Sequence, residues 1–162
     1  MSESSSESSS ESSSAGAQER RVDQLVVAPL AGQTIGSAGT QFIIAEWSDP
    51  GLPPGAPPGP PRPIAPLHVH YEDDEAWYVL DGALTFQLGD QIVEVEAGGA
   101  AFAPGGVAHT FWNPRQEQAR YLLVMTPAIR DLIADLHATD DRSPDAMRAI
   151  YHRHHSELLA SG

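Results

Sequence analysis

Between Val22 and Thr126 short apolar runs recur every eight to twelve positions and are separated by turn residues, which is the spacing of an all-β sandwich or barrel. The runs Gln24 to Val27, Gln41 to Trp47, Leu67 to His70, Ala76 to Leu80, Leu84 to Leu88, Ile92 to Glu96, Ala101 to Ala103, Thr110 to Trp112 and Tyr121 to Thr126 predict the strands. Asp81-Gly82 and Gly89-Asp90 lie between successive runs. Such dipeptides supply the positive φ angles of tight hairpins, so an antiparallel meander is expected in the middle of the chain. After Thr126 the period becomes helical. Ile129, Leu132, Ile133 and Leu136 follow Thr126-Pro127, a hydroxyl cap with proline at the first helical position. Ser143-Pro144-Asp145 repeats that start, and Met147, Ile150, Tyr151, His154 and Leu158 make a stripe for a second helix. Both helices are expected to lay their apolar faces on the barrel or on a partner subunit.

Two segments fall outside this pattern. Ser2 to Ser14 repeat Glu-Ser-Ser-Ser without an apolar residue, so burial cannot offset the entropy of ordering them. Residues 1–20 are therefore expected to be a disordered acidic tail. Nine of the 14 prolines fall between Pro50 and Pro66; lacking amide donors, they exclude ladder pairing and favour extended chain that delivers His68. The expected organisation is the tail, a β-barrel over 21–127 and a helical extension over 128–162.

Composition narrows the chemistry. A chain of 162 residues with 41% hydrophobic residues suits one domain with its own core. There is no Cys, which removes disulfides, thiolate metal sites and Cys nucleophiles together. The net charge is -13, and the nine basic residues, all Arg, are scattered from Arg20 to Arg153. Phosphate backbones need clustered cations, so nucleic acid is not an expected partner. No run approaches the ~20 apolar residues of a membrane helix, and no secretory leader is recognisable. No membrane association and a cytoplasmic location are the expectations.

The informative stretch is His68-Val69-His70-Tyr71-Glu72-Asp73-Asp74-Glu75. Histidines at i and i+2 of a strand project from one face and can share a cation, and a bend would bring Glu75 to it. His109 follows a Pro104-Gly105-Gly106 turn that would reverse a strand towards the same point. Neutral imidazoles with one carboxylate suit iron, nickel, cobalt, manganese, copper or zinc. The bland reading, exposed turn histidines beside an acidic hairpin, does not account for the motif match below. Glu72, Asp73 and Asp74 read as a solvated bend. His152, His154 and His155, in a last helical turn, read as partners of the helix dipole rather than as a second metal site, and His137 similarly ends the first helix.

The run HVHYEDDEAWYVLDG resembles the first motif of the cupin superfamily, His-x-His followed by Glu and then Gly. GGAAFAPGGVAHTFWN is similar to the second motif, through Gly98, Pro104, Gly106, His109 and Asn113. Arg62 stands where the family usually has Gly. The resemblance covers about Ala38 to Thr126 and implies a double-layered antiparallel β-barrel of cupin, or jelly-roll, type. It implies a single divalent transition metal inside, held by His68, His70, Glu75 and His109. The surrounding layout is similar to the quercetin dioxygenase-like group of single-domain cupins.

That narrower resemblance implies a metal-dependent dioxygenase acting on a small phenolic or enolic substrate, with Glu75 as the base that takes the substrate's hydroxyl proton. Metal-dependent isomerase or cyclase chemistry without oxygen, or ligand binding without turnover, are the alternatives. By the period-two rule Trp77 shares the face of Glu75, and Phe111 and Asn113 share that of His109. Trp77 and Phe111 are thus candidate substrate contacts. A homodimer is the family expectation, with Val22 to Leu30 as the pairing segment.

Overall fold

In the computed structural model residues 34–56 and 61–160 are described. The expected tail and the segment Gln24 to Val27 lie outside the described residues. The elements follow as β1 (Thr34–Ile35), β2 (Ile43–Asp49), β3 (Ala65–His70), β4 (Glu75–Asp81), β5 (Ala83–Leu88), β6 (Gln91–Glu96), β7 (Ala100–Ala103), β8 (His109–Trp112), β9 (Ala119–Met125), α1 (Pro127–Ala138), α2 (Pro144–Arg153) and β10 (Ser156–Leu158). They form two five-stranded sheets, in the orders β1-β2-β9-β4-β7 and β10-β3-β8-β5-β6. Every pairing is antiparallel. This is the all-β, jelly-roll architecture with two C-terminal helices that the sequence predicts.

Only one of the two expected tight hairpins forms. Gly89-Asp90 joins β5 to β6, with Leu88 opposite Gln91. Asp81-Gly82 instead turns the chain from one sheet to the other, because β4 pairs with β7 and β9 while β5 pairs with β6 and β8. Gly82 has φ +72°, and a Cβ there would meet the Gln118 carbonyl at 2.7 Å. Only glycine fits that corner. The middle of the chain is therefore a crossing between layers rather than a meander.

The core lies between the sheets and follows the strand period. On β4, Glu75, Trp77 and Val79 are buried while Tyr78 and Leu80 face out. Trp77 meets Phe86 of β5 and Phe111 of β8 at ring-centroid distances of 5.2 and 5.3 Å, and Phe86 stacks on Phe111 at 5.7 Å. Each such ring buries about 150–250 Å², on the order of 4–6 kcal/mol before chain entropy is charged against it.

The helices begin where the sequence places them. The Thr126 hydroxyl accepts from the Ile129 amide at 3.3 Å, and the Ser143 hydroxyl accepts from the Ala146 amide at 3.3 Å. α2 ends sooner than its stripe suggests. It stops at Arg153, His155 takes φ 52°, and Ser156 to Leu158 return as β10 alongside β3. Leu158 thus packs from a strand and not from the helix. A second apolar cluster joins the helices, with Leu132, Ile150 and Tyr151 at its centre.

Candidate metal centre

β3 presents His68 and His70 on its inner face, and β8 places His109 directly opposite His68 in register. These three come from one sheet. Glu75, the first residue of β4, reaches them from the other sheet. The bend that allows this is tied down rather than merely solvated. Asp74 Oδ1 accepts from the Gly105 amide at 2.9 Å, and Asp73 Oδ1 accepts from the Thr126 hydroxyl at 2.7 Å, while Glu72 stays exposed. The Gly106 amide donates to the His70 carbonyl at 2.7 Å, holding the loop before β8 against the end of β3. One donor atom from each of His68, His70, Glu75 and His109 lies within 4.8 Å of the others, and all four residues are buried.

The hydrogen bonds behind the imidazoles decide which nitrogens face inward. His68 Nδ1 donates to the Pro66 carbonyl at 2.6 Å, and His109 Nδ1 donates to the Val107 carbonyl at 2.9 Å. His70 Nδ1 lies 2.7 Å from the Ser156 hydroxyl, which itself donates to the His154 carbonyl at 2.9 Å and must therefore accept from His70. A neutral imidazole with its proton on Nδ1 offers a bare lone pair at Nε2. Three such lone pairs converge with a carboxylate: His68 and His70 Nε2 stand 3.1 Å apart, and Glu75 Oε2 is 3.0 Å from His109 Nε2 and 3.5 Å from His70 Nε2. Acceptors crowded this closely call for a shared cation. The donor set fits a divalent transition metal.

The titration behaviour agrees. Burial, reinforced by the His109 and His70 imidazoles, pushes His68 from 6.5 down to about 3, so it is neutral and free to coordinate near pH 7. Burial by itself would raise the Glu75 carboxyl. Without a metal, His109 and His70 imidazoles carrying a proton on Nε2 outweigh it and lower the group to about 2; a cation takes the place of those protons.

A cavity of about 150 Å³ adjoins this group. His68, His70 and Glu75 form part of its wall, and Leu132 and Leu136 of α1 form another. Of the two aromatic residues expected as substrate contacts, Phe111 lines the cavity. Trp77 is 1% exposed, packs on His109 at a ring distance of 5.5 Å and belongs to the core beside the ligands. Asn113 shapes a loop, donating to the Glu117 carbonyl at 2.8 Å and accepting from the Arg115 amide at 2.9 Å.

The pattern of the sequence does not mark Trp47, Tyr121, His137 or Tyr151 as cavity residues, yet all four line it. Tyr121 alternates inward on β9 with Leu123, and Tyr151 sits on the helical stripe, so both read as core. Neither hydroxyl has a hydrogen-bond partner among the described residues. Burial first, and then the Glu75 charge on both with Asp49 on Tyr121, push their pKa values up, so both remain donors at neutral pH. The late histidines gather no second metal group among the described residues. His154 Nε2 instead lies 2.9 Å from Asp135 Oδ2, bridging α2 to α1.

Residues 53–125 match the cupin domain family. That segment contains all four clustered ligands, and with the jelly-roll fold it supports the cupin superfamily; α1, α2 and β10 follow the matched cupin domain. No curated protein matches the chain. Among solved structures, a Thermus thermophilus protein is 22% identical, with 67% of this chain and 95% of that chain covered and a TM-score of 0.46. A sugar phosphate isomerase of the cupin superfamily from Silicibacter pomeroyi is 25% identical, with a TM-score of 0.45; the match covers 54% of this chain and 51% of the isomerase, about half its length. A conserved protein with a double-stranded β-helix domain from Klebsiella pneumoniae is 23% identical over 69% of this chain and 91% of its own, with a TM-score of 0.43. Among the described residues no helix is long and apolar enough to cross a membrane.

Proposed function

We propose that this chain is a metal-dependent enzyme of the dioxygenase type, acting on a single-ring phenol or a small enol. The observation that carries the reading is the small, largely apolar cavity that opens onto the buried His68, His70, Glu75 and His109 group. A cavity near 150 Å³ accommodates about one benzene-sized ring beside the four residues. No Arg or Lys lines it among the described residues. Its lining is mostly aliphatic and aromatic, with His137 as the one basic side chain among the described residues outside the four-residue group, and an apolar substrate and dioxygen both suit such a lining.

A divalent transition metal held by the four residues would supply the positive charge that acidifies a substrate hydroxyl and, if redox-active, the electronic coupling to oxygen. Glu75 accepts the hydroxyl proton. Tyr121 and Tyr151 donate hydrogen bonds to the developing oxyanion, and Phe111 packs on the ring. Leu132 and Leu136 exclude water from that face.

Oxygen uptake by the metal-loaded chain over a panel of single-ring phenols and small enols tests this reading. Consumption of oxygen matched to loss of substrate is expected. Full turnover under strict anaerobiosis overturns it in favour of isomerase or cyclase chemistry, and substrate recovered unchanged would leave a binding module.

A second copy of the chain is the proposed partner. Ile44, Val124, Ala76 and Phe102 align across the outer face of one sheet, and Phe102 is 55% exposed. This apolar row supports a homodimer. A monomer mass by light scattering would remove it.

A further inference from the structure

The three imidazoles of the metal centre do not owe their orientation to the same part of the chain. His68 and His109 each donate Nδ1–H to the carbonyl two residues earlier, Pro66 and Val107, so their tautomers are set by the strands that carry them. His70 has no such local acceptor. Its Nδ1–H goes to Ser156, 86 positions away in the sequence and beyond the matched cupin domain.

We propose that Ser156 is a positioning residue of the metal centre, so that the C-terminal strand β10 is part of the site and its docking is linked to metal occupancy. The placement is specific. Ser156 pairs directly with His70 in the β10–β3 ladder, is 3% exposed, and spends its single hydroxyl proton on the His154 carbonyl at 2.9 Å. The hydroxyl oxygen is thereby left as an acceptor, and only the Nδ1–H tautomer of His70 satisfies it. That tautomer turns the Nε2 lone pair towards His68 and Glu75.

The strand is held in register on both sides of the contact. The Tyr71 amide donates to the His155 carbonyl at 3.1 Å, the Leu159 amide donates to the Leu67 carbonyl at 2.9 Å, and the Tyr71 hydroxyl meets Glu157. A metal that needs His70 in one tautomer therefore favours docked β10, and by reciprocity docked β10 favours the metal. Tyr151, on α2 just before β10, packs its ring 5.4 Å from His68, so the same segment also carries a cavity wall to the site.

This inference rests on the four-residue group holding a metal, and its test reads binding rather than turnover. Ser156→Thr and Ser156→Val in the full chain have nearly the same shape and differ in the hydroxyl alone. Cobalt(II) affinity is measured by competition with a chromophoric chelator, beside hydrogen exchange at the Leu159 amide with and without cobalt. The expected result is wild-type-like affinity for Ser156→Thr and a roughly 10- to 100-fold loss for Ser156→Val, the range found when a ligand histidine loses its outer partner. Cobalt should slow Leu159 exchange in the wild type and in Ser156→Thr, and much less in Ser156→Val. Equal cobalt affinity in the two variants, with a wild type that binds, overturns the role of Ser156 alone. A wild type that takes up no cobalt overturns the metal-centre reading and this inference with it.

Discussion

On one side of the ligand group Trp77 and Phe86 are packed with ring centroids 5.2 Å apart, whereas on the other Tyr121, Leu123 and Tyr151 face a cavity of about 150 Å³, with Phe111 at the boundary touching both. Apart from Tyr151 of α2, both regions come from the same inward-facing alternation of strand residues. They differ in what closes them. The packed side is filled by large side chains from both sheets, and Trp77 wedges against His109 so that one ligand rests on a rigid wall. The hollow side is closed by α1 and α2, whose leucines and Tyr151 reach over the space without filling it. A site that must hold a metal in fixed geometry and still admit a substrate needs one of each.

The contrast makes the consequences of substitution unequal. The largest effect is expected for Trp77→Ala, which empties a fully packed position and should cost about 4 kcal/mol in denaturant unfolding. A loss below about 1 kcal/mol would mean that the packed side is as loose as the hollow one.

Acidification comes next. His68 titrates near 6.5 when unfolded and near 3 when folded, so between those values the unfolded chain binds the extra proton. Stability is thus present above about 6.5 and lost as pH falls towards about 3. The metal-free chain should lose about 2 kcal/mol between pH 7 and pH 5, read from urea melts at each pH. Glu75, held below 4.5, adds to the same trend only at lower pH.

The smallest stability effect is expected on the hollow side. Tyr121→Phe removes a hydroxyl that has no partner among the described residues, so unfolding should shift by less than about 0.5 kcal/mol. In the same variant kcat/KM for a turned-over substrate should fall by about tenfold, the worth of one hydrogen bond to an oxyanion. A large stability loss with unchanged kcat/KM would reassign Tyr121 to the core.

The sequence made the ligands legible because their chemistry is local. His68 and His70 share a strand face by period two, and the Pro104-Gly105-Gly106 turn returns His109 to them. Strand positions were readable for the same reason. Pairing was not. Asp81-Gly82 provides a positive φ whether the chain folds back on its own strand or crosses to the facing sheet, and only the Gln118 carbonyl pressed against Gly82 tells the two apart. β10 has three residues, too few for alternation to show, and Leu158 continues the helical stripe across the His155 turn that ends it. Tyr121 and Tyr151 obey the rules of buried residues, and what makes them cavity residues is a space that no period encodes. The dioxygenase reading likewise rests on the shape and lining of that space, beyond what two motifs contain.

Everything proposed for the cavity depends on His68, His70, Glu75 and His109 holding one divalent transition metal. Elemental analysis by plasma mass spectrometry of the purified full chain beside a His68→Ala/His109→Ala variant tests it most directly. About one equivalent of a transition metal in the wild type, absent from the folded variant, is the predicted result. Equal metal in both proteins, or a wild type that stays metal-free after incubation with iron(II), manganese(II), cobalt(II), nickel(II), copper(II) and zinc(II) in turn, would contradict it.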